Sequence, residues 1–316
     1  MTGFTVITTM KNEGAFLLEW VAHHKALGFD HILICTNDCA DHTRRIAQRL
    51  QGLGLAVHHP TKPWAATSIQ RSALKQATRY PIVREAEWVW VCDADEFLTI
   101  RSGDGSVQAL AAAASSEAEV ISVPWRIFGS DGLCRYDDAP VTQQFRRAGG
   151  DGRHFAYCKS LVRGTAPVGR IGVHAPVARD DLGRDLVREE PGGRPYRPQR
   201  HPMFVAADYS VAQVNHYALR SAESFLVKRD RGRVNHVGQD MGRAYWDRFN
   251  LAETPCDAIR RYDDAVQDWT ARLMADAELA FMHRKSVAWH RARISALKAC
   301  PTHAALWAEI TEGQLA

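Results

Sequence analysis

Trp88-Val89-Trp90-Val91-Cys92-Asp93-Ala94-Asp95-Glu96-Phe97-Leu98 is the stretch on which the reading of this chain turns. Its first five residues, aromatic, β-branched or small and apolar, spell a strand buried on both faces, as in parallel sheets. The strand then meets three carboxylates within four positions. Three negative charges at the mouth of an apolar strand are costly unless something positive meets them. Alternate residues of an extended segment face the same way, so Asp93 and Asp95 can aim at one point. Paired hard oxygen ligands suit Mg²⁺ or Mn²⁺, which commonly complete their shell with substrate phosphates. The competing reading is a strand-end turn with solvated acids, because aspartate is common in turns.

Outward from this strand, the first 124 residues alternate short apolar runs with amphipathic ones. Strands are expected over residues 4–9, 31–36, 55–59, 88–92 and 120–125. Between them, Asn12 is placed to cap a helix carrying Phe16, Trp20, Val21, His24 and Leu27, with Gly28 as its stop. Asp41 is placed to cap a second helix with Ile46, Leu50 and Leu53 on one side, closed by Gly54. Further helices are expected over residues 68–80 and 107–114. Strands separated by helices imply right-handed crossovers and a mainly parallel α/β sheet. Ligands gather at the carboxyl ends of such strands. Residues 9–13, 37–41 and 93–96 all lie there, and three polar clusters on one rim make a site.

Farther along, residues 158–163 and 170–174 read as two short strands. Residues 179–200 are rich in Pro, Gly and charge, as in a mobile loop or disordered segment, either a lid that folds over a ligand or a passive insertion. From Ser221 the pattern turns helical, with Ile259, Tyr262, Val266, Trp269, Leu273 and Leu279 near helical spacing. The expected division is an α/β unit carrying the rim site over 1–220 and a helical extension over 221–316.

Composition narrows the classes. Hydrophobic residues make up 46% and charged residues 24% of 316, ordinary for a globular protein. A net charge of +4, not gathered into one block, argues against nucleic acid as a partner. Seven cysteines with no CxxC pair point to a reducing compartment. No run approaches a membrane span, and Lys11, Asn12 and Glu13 interrupt what a secretory leader would need. A cytoplasmic protein is expected, with at most peripheral membrane association.

The motifs in order are Thr8-Thr9-Met10-Lys11-Asn12-Glu13, Asn37-Asp38 with Asp41-His42-Thr43, and Cys92-Asp93-Ala94-Asp95-Glu96-Phe97. Phe128-Gly129-Ser130, Lys159-Ser160, His174-Ala175-Pro176, Asn215-His216-Tyr217, Lys228 and Arg231-Gly232-Arg233 follow. In this order the chain resembles the glycosyltransferase family 2-like enzymes of the GT-A fold, over about residues 4–250. The resemblance implies a nucleotide-sugar donor, above all a uridine diphosphate sugar, and a hexose moved to a hydroxyl of a glycan or lipid-linked glycan with inversion. It also implies Mn²⁺ or Mg²⁺ on the diphosphate, held by Asp93 and Asp95. Asn12, Glu13, Asn37 and Asp38 would cradle the nucleotide, joined by Arg71. Many relatives open the second loop with aspartate; here Asn37 precedes Asp38, so Asp38 is favoured.

Such a transfer needs charge stabilisation of the leaving diphosphate, a base for the acceptor hydroxyl, and exclusion of water. Lys159, Lys228 and Arg231 are the candidate cations, against the alternative of a solvated basic face. His174 and His216 compete as a third metal ligand, with His174 favoured as the end of a strand-like run before Pro176. Glu96 and Asp131 head the candidate acids, with Asp137, Asp138 and Asp180 behind them, although Glu96 could instead pin the loop backbone. Trp64, Trp125, Phe128 and Tyr136 could form a stacking platform for an acceptor sugar, against ordinary core packing. Two rival classes share the Asp-x-Asp pair. A haloacid dehalogenase-like phosphatase places Thr or Val four positions after its first Asp, where this chain has Phe97. A non-catalytic nucleotide-sugar or glycan binder on the same scaffold would hold the nucleotide and release no diphosphate.

Overall fold

The computed structural model describes residues 3–64, 67–150, 154–198, 201–232 and 241–312; Arg200 and Arg233 lie outside the described residues. An eleven-stranded mixed sheet forms its centre. The strands are β1 (Phe4–Met10), β2 (His31–Thr36), β3 (Val57–Pro60), β4 (Trp88–Val91), β5 (Glu96–Ile100), β6 (Val120–Ile127), β7 (Phe155–Arg163), β8 (Arg188–Glu190), β9 (Arg194–Pro195), β10 (Phe204–Ala206) and β11 (Ala212–His216). The main path runs β9-β8-β6-β7-β4-β1-β2-β3. β3, β2, β1 and β4 are mutually parallel, and β7 enters antiparallel between β4 and β6. An α/β sheet is thus what the alternation of strands and helices dictates, parallel where that alternation is regular.

Both faces of the parallel block are buried, and strand alternation sorts their side chains. Trp88, Trp90, Val6 and Ile34 join one core with helix α1 (Leu17–Ala26) and α2 (Thr43–Gly52). Val89, Val91, Ile7 and Leu33 join the other with α3 (Ile69–Ala77). Trp88 and Trp90 are 2% and 0% exposed, and loss of either ring would cost about 3–5 kcal/mol. The later helices are α4 (Ala222–Arg231), α5 (Arg243–Phe249), α6 (Asp263–Met274), α7 (Ala277–Lys298) and α8 (Pro301–Thr311). Val266, Leu273 and Leu279 complete the first core, while α4, α5 and α8 form a third around Phe225 and Trp246.

Beyond the acidic turn the chain re-enters as β5, which pairs antiparallel with β11, while β11 runs parallel to β6. The sheet therefore splits at Asp93–Asp95. Sequence patterning did not reveal β5, because its pairing partner is far along the chain. Other expectations are corrected here. Asn12 does not cap α1, whose N-cap is Phe16; it has φ of +54° and its side chain accepts from Ala40 N at 2.7 Å, tying the first rim loop to the second. Leu53 lies beyond α2 and is exposed. The short strand Val168–Arg170 ends before His174. The described part of residues 179–200 is not a loose loop: β8 and β9 form a sheet edge, with Glu189 and Glu190 buried. Backbone pairing holds this edge, so its low hydrophobicity misleads.

Two histidines in the core make the fold sensitive to acid. His23 donates from Nε2 to the Leu98 carbonyl and His24 from Nδ1 to the Trp20 carbonyl, each at 2.8 Å. Burial drives the His23 imidazole down to about 4, and burial together with His23 drives His24 well below its ordinary value. Between about pH 4 and 6.5 the unfolded chain binds protons that the native state refuses, so stability rises with pH there and is lost as pH falls. Each such histidine contributes a slope of about 1.4 kcal/mol per pH unit. The melting temperature should therefore drop steeply from pH 7 to pH 5, and His23→Gln, which keeps an N–H for Leu98, should flatten that drop. Equal slopes in calorimetry for the two proteins would remove this explanation.

Candidate active site

The acidic turn is held by its main chain. The carbonyl of Asp93 accepts from the Trp20 indole at 3.1 Å and from Glu96 N at 3.2 Å. The Ala94 carbonyl accepts from Arg220 at 3.1 Å, and the Asp95 carbonyl from Tyr217 N at 2.8 Å. From below, the Glu96 carboxylate accepts from Asp93 N at 2.9 Å. A turn with all three carbonyls engaged presents its side chains with little freedom to rearrange.

Lys159 is shared by Asp93 and Glu96, whereas Asp95 pairs with Lys228. Asp93 accepts from Gln70 at 2.5 Å and lies 3.2 Å from the ammonium of Lys159, which also sits 3.1 Å from Glu96. Lys159 and Glu96 have fully buried side chains. One ammonium cannot neutralise two carboxylates in so dry a place. Burial, reinforced by Asp93 and Asp95 and only partly opposed by Lys159, lifts the Glu96 carboxyl to about 8. Lys159 stays charged, because its two acid neighbours outweigh its desolvation. Asp95 contacts Lys228 at 2.6 Å and lies 3.8 Å from His216 Nε2. Burial alone would raise Asp95, but Lys228 and His216 carry it well below the ordinary carboxylate range. Glu13 is held similarly: burial is overcome by Arg220, at 2.9 Å, and by Arg231, which bonds its other oxygen.

Glu13, Gln70, Asp93, Asp95, His216, Lys228 and Arg231 border a cavity of about 800 Å³ at the carboxyl ends of β1 and β4. Of the residues expected from sequence, Glu13, Arg71, Asp93, Asp95, His174, His216, Lys228 and Arg231 line it. Others stand apart. Lys159 and Glu96 lie behind Asp93, as positioning residues that do not reach the cavity. Asn12 and Asn37 brace the rim loops, Asn37 by donating to the Thr61 carbonyl at 3.1 Å. Asp38 is exposed and paired to Lys11 at 2.7 Å, so that Lys11 borders the cavity in its place. Asp131 is not among the residues that line the cavity; it has a φ of +52° and accepts from Arg146 N, in a loop that Asn250 fastens through Ser130.

The four expected metal ligands are not brought together: among the described residues, no group of three or more His, Cys, Asp or Glu side chains converges. Asp93 is drawn toward Gln70 and Lys159, and His174 donates from Nδ1 to the Cys158 carbonyl at 3.0 Å. Asp95 and His216 do share one corner. A carboxylate and an imidazole beside open space for phosphates fit a divalent ion, which seldom takes all its ligands from protein. Sequence reasoning missed Arg220, Gln70, Trp20 and Arg248. Arg220 carried a signal only in retrospect, following Asn215-His216-Tyr217 by three residues. Its left-handed φ of +57° and its stacking 3.6 Å over Phe16 are tertiary facts.

No family model matches the chain. Over 237 residues it is 26% identical to a glycosyltransferase family 92 protein of Ricinus communis, a match covering 73% of this chain and 38% of that protein. The chain thus spans well under half the length of that curated relative. Among solved structures, S. aureus TarS 1–349 in complex with UDP overlaps 40% of this chain and 36% of its own, with 18% identity and a TM-score of 0.30. HddC from Yersinia pseudotuberculosis overlaps 65% of this chain and 93% of its own, with 12% identity and a TM-score of 0.33. Backbone overlaps of that extent carry no functional inference. Among the described residues, no helix is long and apolar enough to cross a membrane.

Proposed function

We propose that this chain is an inverting glycosyltransferase that moves a hexose from a nucleoside diphosphate sugar, uridine diphosphate first among the nucleotides, to a hydroxyl of a glycan or lipid-linked glycan. The observation that carries this reading is the charge of the large cavity. Five cationic side chains (Lys11, Arg71, Lys228, Arg231 and Arg248) face three carboxylates (Glu13, Asp93 and Asp95). Those carboxylates are already satisfied by Lys159, Lys228, Arg220 and Arg231, so the surplus is positive and suits a diphosphate. The N-terminus of α3, with Ser68, Gln70 and Arg71 on the wall, adds its dipole to the same end. The relative named as a glycosyltransferase supports the reaction class.

In the reaction, the acceptor oxygen bonds to the anomeric carbon as the bond from that carbon to the diphosphate oxygen breaks. The electron pair leaves with the diphosphate, and the hydroxyl proton passes to a base. Lys228 and Arg231 are placed to meet the developing charge. A bound Mn²⁺ or Mg²⁺ would be held by Asp95 and His216 and would supply Lewis-acid stabilisation of the diphosphate. The division of labour in this proposal is a donor-binding unit over residues 1–220, completed by Lys228 and Arg231 from the helical extension over 221–316. A cytoplasmic setting accords with seven free thiols.

Thermal melts with uridine diphosphate, adenosine diphosphate and inorganic phosphate, each with and without Mn²⁺, test the donor half. A nucleotide at one hundred times its dissociation constant adds about 2.7 kcal/mol, a rise of several degrees. If no nucleoside diphosphate raises the melting point, the proposal fails.

A further inference from the structure

Beside the large cavity lies a smaller cleft of about 220 Å³, which shares Trp125, Tyr157, Arg248 and Phe249 with it. The cleft is built by strand pairing. Phe155 and Tyr157 are alternate residues on one face of β7, and Phe204 of β10 stands directly opposite Tyr157 with ring centroids 4.4 Å apart. Trp125 of β6 closes the inner end, 5.5 Å from Tyr157. Tyr209 donates its hydroxyl to the Trp125 carbonyl at 3.1 Å, which fixes that wall. Phe155 and Phe204 remain 64% and 37% exposed, a display of aromatic surface that marks a contact site.

The lining chooses the occupant. Among the described residues that line it, Arg248 is the one charged side chain and none is a carboxylate, which favours a neutral occupant over a metal or a cationic group. Its volume falls below the roughly 300–1,000 Å³ of drug-sized pockets, enough for one ring and too small for a nucleotide or a lipid chain. Rigid ring faces suit a flat, amphipathic body with apolar C–H surfaces and a polar rim. The cleft adjoins the large cavity on the side of the acidic turn: the wall they share includes Trp125, which packs 4.2 Å from the His216 ring, and His216 lies 3.8 Å from Asp95.

We propose that this cleft is the acceptor subsite and takes a single neutral hexopyranose ring, the terminal sugar of the acceptor glycan. The ring stacks against Tyr157 and Phe204, with its reacting hydroxyl directed past Trp125 into the donor cavity. This rests on the glycosyltransferase reading and replaces the stacking platform expected from sequence. Of that platform only Trp125 lines the cleft. Trp64 lies under Lys75, Phe128 is buried, and Tyr136 packs on Phe16 and His290.

Saturation-transfer NMR with methyl glucoside, methyl galactoside, methyl mannoside and octyl glucoside tests the proposal on the wild-type chain, Phe204→Ala and Phe155→Ala, with remote Phe281→Ala as control. The expected result is saturation of pyranose ring protons for at least one methyl hexoside. Its dissociation constant should rise about three- to tenfold in each cleft variant, as loss of an aromatic contact implies, and stay unchanged in the control. Three results overturn the proposal: no methyl hexoside binds, binding is equal in wild type and both cleft variants, or saturation concentrates on the octyl chain. Two cleft variants guard against one that fails to fold. Titration of the wild type with uridine diphosphate separates this inference from its premise. Nucleotide binding without hexoside binding overturns the subsite alone, whereas absence of nucleotide binding overturns both.

Discussion

Lys159→Met should lower the unfolding free energy by about 3–5 kcal/mol, the penalty expected when one partner of a buried ion cluster is removed. Methionine nearly conserves the volume of the lysine stem, so the loss would report charge and not a cavity. In the wild type a fully buried ammonium lies within 3.2 Å of both Asp93 and Glu96. Without it, Asp93 keeps only Gln70 as a side-chain donor, and Glu96 keeps only the Asp93 amide, its Oε1 already lacking a hydrogen-bond partner. Lys159→Arg should not restore stability, because a planar five-donor fork does not fit a pocket cut for a point charge. The double variant Lys159→Met with Glu96→Gln should recover part of the loss, since it deletes one of the two orphaned acids. Urea unfolding of wild type, Lys159→Met, Glu96→Gln and the double variant measures the coupling. A single variant within about 1 kcal/mol of wild type would show that the lysine does not brace the acidic turn.

What the sequence made legible follows from local rules. The Trp88-Val89-Trp90-Val91 alternation announced a strand buried on both sides, and those four side chains do divide between two cores. The acids after it announced a site, and the rim loops met there because parallel strands bring their carboxyl ends together. The remainder depended on distant pairing. β5 was hidden because Glu96 and Phe97 read as the tail of a loop until β11 supplies their partner. Asn12 looked like a helix cap because its own position fits one, whereas its real acceptor role is to a backbone amide of the second loop. Of the expected aromatic platform only Trp125 lines the cavities, for a related reason: ring content does not distinguish the buried Phe128 from the exposed Phe155 and Phe204. Lys159 and Lys228 read alike as cations, and only burial separates the one behind Asp93 from the one bordering the cavity.

That separation sets up the largest functional effect. Asp95→Asn should reduce glycosyl transfer and donor hydrolysis by at least about a hundredfold to a thousandfold, the scale associated with losing one preorganised electrostatic contact in an active site. Asparagine preserves the shape of the turn, including the Asp95 carbonyl bond to Tyr217 N, so the change is one of charge. It also removes the counter-ion at 2.6 Å from the ammonium of Lys228 and the carboxylate beside His216. Water-proton relaxation with Mn²⁺ and uridine diphosphate gives a second readout independent of turnover, and the Asn variant should lose the enhancement seen in wild type. Lys228→Met makes the informative contrast. It frees Asp95 from its ammonium, so Mn²⁺ uptake should persist or strengthen while affinity for uridine diphosphate falls, because a cation has left the anion-binding wall. Opposite responses of the two variants would place Asp95 on the cation side of the site and Lys228 on the phosphate side. Asp95→Asn turnover within tenfold of wild type would instead mean that the acidic turn anchors the fold and leaves the chemistry to other residues.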